Sequence, residues 1–134
     1  MQKTMLLVLL LTCASAHALE WVHVVSSKTT EFLVDVSGIK VSGVIRQAWI
    51  KKVIKPLSVR DPDPRAHRWE NEVLERNAFD CKEETWSNLA ITVYYDDGTN
   101  QSLSAGTPQS DWQTIVPDSV FADVIRFVCE WKPK

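Results

Sequence analysis

The chain has 134 residues, 45% of them hydrophobic, with 15 Lys and Arg against 17 Asp and Glu and a formal net charge of −2. This length supports one hydrophobic core and is short for two domains. So mild a charge provides no electrostatic footprint for nucleic acid or for an anionic membrane, which excludes those partner classes.

The first residues read MQKTMLLVLLLTCASAHALEW. Lys3 supplies a positive start, Met5 to Leu11 a short apolar run, and Ala16-His17-Ala18 small residues at the two positions a signal peptidase reads. This pattern predicts a cleavable secretory signal over residues 1–18 and one mature domain over residues 19–134. The apolar run falls short of the roughly 20 residues a membrane span needs, and no later segment comes closer. No membrane span is therefore expected in the mature chain. Cys13 offers a rival, a lipoprotein cut before an acylated cysteine. Thr12 stands where that signal wants Gly, Ala or Ser, so cleavage after Ala18 is preferred. Either route exports the protein, to the periplasm, the cell surface or the medium.

Removing the signal takes Cys13 away and leaves Cys81 and Cys129. An even count in an oxidising compartment favours a disulfide between them, with two buried free thiols as the alternative. A metal site would need more ligands at close spacing.

Strands dominate the first two thirds. Glu20 to Val25 (EWVHVV) is short and β-branched. Glu31 to Val36 (EFLVDV) alternates, with Phe32, Val34 and Val36 on one side. Ser37-Gly38 and Ser42-Gly43 mark turns. Val44 to Ile54 is the longest candidate, with Ile45, Trp49 and Val53 on one face and Arg46 and Lys52 mixed with apolar residues on the other. Residues 55–69 (KPLSVRDPDPRAHRW) then interrupt the pattern, because Pro56, Pro62 and Pro64 exclude a regular ladder. Val73 to Cys81 alternates again, with Val73, Phe79 and Cys81 together. Thr85 to Tyr95 offers Leu89, Ile91, Val93 and Tyr95 as a core face. Asp96-Asp97-Gly98-Thr99-Asn100 predicts a hairpin turn returning through Gln101 to Ala105.

Pro117-Asp118-Ser119 predicts the start of a final helix, with Asp118 or Ser119 as N-cap and Asp123 favoured near the positive end of the dipole. Val120, Val124, Phe127, Val128 and Trp131 recur at helical spacing. The helix carries Cys129 and ends by Pro133. Together these elements predict an α+β domain: a mostly antiparallel sheet of about five to six strands, with one C-terminal helix packed on it and tied by the disulfide.

Candidate chemistry is sparse. His23 lies in a strand and His67 in the proline-rich segment. No nucleophile elbow, zinc-protease motif or glycine-rich phosphate loop is present. Asp96-Asp97-Gly98 lacks the spaced ligands of a calcium loop. No enzyme, cofactor or metal is expected. Asn100-Gln101-Ser102 is a formal glycosylation sequon, relevant only in a eukaryotic secretory pathway. The segment of residues 55–69 combines Arg60, Arg65, His67 and Arg68 with Trp69, and Arg and Trp are enriched at binding hot spots. These five residues are the candidate contact set for an acidic protein patch or a glycan; a functionally silent loop is the alternative.

The order of landmarks resembles a known family. Glu20-Trp21-Val22 is followed by FLVDVSGI at residues 32–39 and Ala48-Trp49-Ile50. Phe79-Asp80-Cys81, Tyr94-Tyr95, DWQTIVPDSV at residues 111–120 and the helical Cys129 come after. This is similar to the surface-adhesin protein E family, small exported domains of Gram-negative bacteria, across nearly all of the mature chain. The resemblance implies an antiparallel sheet with a disulfide-tied C-terminal helix, and adhesion to host or matrix proteins. Two departures are visible. Glu83, Glu84 and Trp86 stand where the family often has basic residues, and the proline-rich segment has no clear counterpart. The expected function is a cell-envelope binding module, adhesin-like, with a periplasmic structural or accessory role as the alternative.

Overall fold

A computed structural model of the protein describes residues 18–55, 69–104 and 112–133. The expected signal segment, Ala18 apart, lies outside the described residues. The described strands are β1 (Trp21–Ser26), β2 (Thr30–Asp35), β3 (Lys40–Ser42), β4 (Ile45–Ile54), β5 (Glu70–Asp80), β6 (Thr85–Tyr95), β7 (Asn100–Ser104) and β8 (Gln113–Thr114). One helix, α1 (Val120–Glu130), follows. All the strands join one antiparallel sheet.

The strand count exceeds the expected five to six because two lanes of the sheet are broken. β2 and β3 both pair with β4, and β7 and β8 both pair with β6. The first break is a single 3₁₀ turn at Val36–Gly38. Asp35 enforces it: its Oδ1 accepts hydrogen bonds from the Ser37 amide at 3.1 Å, the Ser37 hydroxyl at 2.6 Å and the Glu20 amide at 3.0 Å. A side chain at Gly38 would place its Cβ 2.7 Å from Asp35 Oδ2, so the position has room for glycine alone. The hairpin between β6 and β7 turns at Asp96-Asp97-Gly98 as its sequence suggests, with Gly98 at φ 81°.

Residues directly opposite in neighbouring strands share a face. Val34 opposes Ile50, Arg46 opposes Phe79, and Phe79 opposes Trp86. α1 packs on this face, and the core consists of Val34, Ala48, Ile50 and Phe79 against Val124, Ile125 and Val128. Ser119 is the N-cap, its hydroxyl accepting from the Ala122 amide at 3.1 Å. The buried helix seam is rotated from the expected stripe. Ile125 is buried, and Phe121 packs edge-on against Trp86 at 5.0 Å, whereas Val120, Phe127 and Trp131 are only half-buried. Phe121, Val124, Ile125 and Val128 form the tighter three- and four-residue pattern.

On β4 the core face is the one carrying Arg46 and Lys52, opposite the Ile45–Trp49–Val53 face. Each charge there has a partner. Arg46 Nη1 donates to the Val128 carbonyl at 2.7 Å and the Trp131 carbonyl at 2.5 Å. It thereby satisfies carbonyls that the helix end leaves unpaired, where positive charge is also favoured by the dipole. Replacing Arg46 with Met, which keeps the length and removes both donors, is expected to lower stability by about 2–3 kcal/mol. Urea unfolding should show a lower midpoint at an unchanged slope; an unchanged midpoint would mean the cap contributes nothing.

The β6 pattern departs from strict alternation. Asn88 opposes Asn77 and Ala90 opposes Arg76, which leaves Leu89 without a partner on β5. Leu89 is thus the extra residue of a bulge, and it is buried, at 1% exposed. Cys81, just past β5, is bonded to Cys129 in the last turn of α1, with S–S 2.02 Å and Cα–Cα 5.7 Å.

Candidate binding surface

Of the five candidate contact residues, the structure describes Trp69; Arg60, Arg65, His67 and Arg68 lie outside the described residues. The two ends of that segment are well anchored. The Lys55 amide donates to the Thr29 carbonyl at 2.8 Å, and Lys55 Nζ lies 3.6 Å from Glu31 Oε1. The Trp69 amide donates to Asp96 Oδ1 at 2.8 Å, and the Asp96 amide donates back to the Trp69 carbonyl at 2.9 Å. The segment thus leaves and re-enters at the end of the sheet that holds the β1–β2 turn and the β6–β7 hairpin.

Next to this end the helix-side face of the sheet is open, because α1 spans only the other half. The opening is a cleft of about 390 Å³. Phe32, Ile54, Val73 and Ile91 supply apolar walls, and Lys52 and Glu75 lie within it. Lys52 Nζ is 2.6 Å from Glu75 Oε1, with side-chain exposures of 26% and 9%. Glu75 Oε2 accepts from Asn77 Nδ2 at 3.3 Å, and Asn77 Oδ1 accepts from Asn88 Nδ2 at 2.8 Å. Both carboxylate oxygens are therefore committed, in a connected polar chain that three strands share. Such a site offers contact area and a fixed ion pair. Leu103, opposite Ile91 on β7 and 66% exposed, extends the apolar strip.

The opposite face of the sheet has a different chemistry. Trp49 opposes Arg76, and the Arg76 guanidinium lies 5.9 Å from the Trp49 ring centroid. Lys51, one row along, places Nζ 4.4 Å over the Trp21 ring. His23, on the same face, shares a 2.8 Å hydrogen bond between Nε2 and the Ser26 hydroxyl and is exposed. Beside the disulfide, a groove of about 510 Å³ carries Asp80, Glu84, Asp118 and Glu130 against Arg126. Cations beside tryptophans thus mark the sheet face away from α1, and carboxylates outnumber cations in the groove beside the helix. Among the described residues no group of three His, Cys, Asp or Glu side chains is arranged to hold a metal ion. No described helix is long and apolar enough to cross a membrane.

The sequence reading passed over Glu75 and Asn77, and noted Lys52 only as a charge on a mixed face. Their signal was present: three polar residues at core-facing positions of strands, a placement that demands partners. Which partners they find depends on register across β4, β5 and β6, and single strands do not reveal it.

The chain matches the family model described as Surface-adhesin protein E over residues 21–130. Two solved structures are similar to it. Protein E of Haemophilus influenzae aligns at 16% identity over 81% of this chain and 83% of that chain, with a TM-score of 0.52. Protein E from non-typeable Haemophilus influenzae aligns at 16% identity over 81% of this chain and 74% of that chain, with a TM-score of 0.49. At this identity the first likeness is one of fold. No curated protein sequence matches the chain.

Proposed function

The chain belongs to the surface-adhesin protein E family, and from that premise we propose that it is an exported, adhesin-like binding module that meets a protein or glycan partner at the end of the sheet where residues 55–69 leave and return. The observation that carries this reading is the pairing of an open apolar cleft with the anchored ends of a basic segment. Arg60, Arg65, His67 and Arg68 would supply charge toward an acidic patch, and Trp69 an aromatic contact. Cleavage after Ala18 would release the domain, beginning at Leu19, for work at the cell surface.

The test combines location and contact. Protease treatment of intact cells is expected to remove the native chain, and full protection would place it inside the envelope and end the adhesin reading. Purified mature protein is expected to bind host-cell monolayers. The Arg65→Ala, Arg68→Ala double variant is expected to keep its unfolding midpoint and lose at least about fivefold in affinity, a loss of about 1 kcal/mol. Equal binding by the two proteins would remove the segment from the contact site.

A further inference from the structure

The sheet face away from α1 carries three cations and two tryptophans in adjacent rows. Trp49 and Arg76 are direct partners, Lys51 sits one row along over Trp21, and Lys40 opposes Gln47 one row the other way. None of Lys40, Lys51 and Arg76 forms an ion pair with a described residue. The carboxylate in their midst is Asp35, which is 1% exposed and already accepts three hydrogen bonds. On this face Glu31 and Glu72 lie one row beyond Lys51, Glu31 beside Lys55, and Asp80 lies at the far end, where its Oδ1 accepts from the Lys82 and Glu83 amides. Among the described residues, Lys40, Lys51 and Arg76 thus stand without a carboxylate partner on a face that also carries four carboxylates, each set apart from them by row or by its own hydrogen bonds.

Arg76 adds a more specific feature. Its Nε is buried without a hydrogen-bond partner. Nearby, a void of about 30 Å³ is lined by Gly38, Lys40, Gln47, Ala48, Trp49 and Arg76. That volume admits a group the size of one oxygen atom. Lys40 and Arg76 on the walls of this void suit oxygens of a sulfate or carboxylate, groups that Arg binds in fork geometry.

We propose that this face is a second binding site, for an acidic polysaccharide bearing sulfate or carboxylate groups. A sheet face offers no backbone donors or acceptors, since these are spent in the ladder, so a peptide lying on it would leave its own backbone groups unpaired. A polysaccharide requires only side chains: cations at intervals for its charges and indole rings for its sugar faces. Trp21 and Trp49 stand two lanes apart, roughly 10 Å at the usual strand spacing, the scale of a sugar repeat. The inference rests on the reading of the chain as a binding module but not on the segment of residues 55–69, and the experiment separates the two.

Mature protein is applied to immobilised heparin at low salt and eluted with a salt gradient. Wild type is expected to be retained, and Lys51→Gln with Arg76→Gln to elute clearly earlier, with about tenfold weaker affinity for a heparin octasaccharide in solution. Arg65→Ala with Arg68→Ala is expected to elute near wild type. Uncharged dextran should not compete, and polyglutamate should compete poorly. Unfolding midpoints of both variants confirm that the fold is intact; if the Lys51, Arg76 pair unfolds, Lys40→Gln with Lys51→Gln replaces it and is expected to elute early as well. Failure of wild type to bind, equal elution of the face variant, loss of binding in the segment variant alone, or equal competition by polyglutamate would each overturn the proposal. The third outcome would transfer the glycan to the segment of residues 55–69 and leave the binding-module reading standing.

Discussion

Replacing Phe79 with Ala is expected to destabilise the domain by about 3–5 kcal/mol, the range for truncating a fully buried aromatic. Phe79 is 0% exposed and lies where β4, β5, β6 and α1 meet. Its ring is 6.3 Å from that of Phe121, which in turn meets Trp86 at 5.0 Å. Truncation would open a cavity between sheet and helix and remove the most deeply buried ring of this three-member layer. A domain of this size has a net stability of about 5–15 kcal/mol, so the loss is a large part of the whole. Urea unfolding followed by tryptophan fluorescence would measure it, with Trp86 as a reporter inside the layer. Phe79→Leu should lose distinctly less. If Phe79→Ala unfolds within about 1 kcal/mol of wild type, the layer does not hold the helix, since losses in well-packed cores exceed that.

The second large effect is expected from the disulfide. Cys81 and Cys129 are separated by 48 residues, and closing a loop of that length restrains the unfolded chain by about 4 kcal/mol in the entropy model. The bridge matters here because α1 has 11 residues, a length that is marginal for an isolated helix. Docking depends on one apolar seam, the Arg46 cap and this covalent tie. Cys81→Ser with Cys129→Ser is expected to lower the unfolding free energy toward that limit. Reduction of the wild-type protein should reproduce the shift, whereas reductant should leave the double variant unchanged. Coincident midpoints for oxidised wild type and the double variant would show that packing alone holds the helix.

These two expectations rest on features of different visibility in the sequence. The cysteine pair was legible because the expected cleavage after Ala18 would leave two thiols in the mature chain. The strands were legible from alternation, and the observed limits of β4 and β6 lie within about one residue of those expected. Ser119 announced its helix and Asp97-Gly98 its hairpin, because both act through contacts a few residues away. Phe79 was legible as an inward-facing residue, though not as a member of an aromatic layer. The binding surface was less visible. Arg60, Arg65, His67, Arg68 and Trp69 stand out by composition, but the cleft beside their anchored ends is built from β2, β4, β5 and β6. The Lys40–Lys51–Arg76 face likewise draws on three strands.

The sequence by itself determined the class of the protein: an exported, mostly antiparallel α+β domain with one terminal helix and a cysteine pair. Periodicity, turn chemistry, caps and signal grammar are local properties, written in neighbouring residues. The tertiary structure alone decided which face of each strand became core. Arg46 and Lys52 make the inner face of β4 look like the outer one, until Arg46 meets the helix carbonyls 82 and 85 residues away and Lys52 meets Glu75. It decided equally the bulge at Leu89, the burial of Ile125 on α1, and the pairing of cations with tryptophans on the outer face of the sheet. Each of these depends on a partner distant in sequence. Burying a charge costs several kcal/mol without that partner and becomes tolerable with it, so the sign of the choice is absent from the strand and present only in the fold.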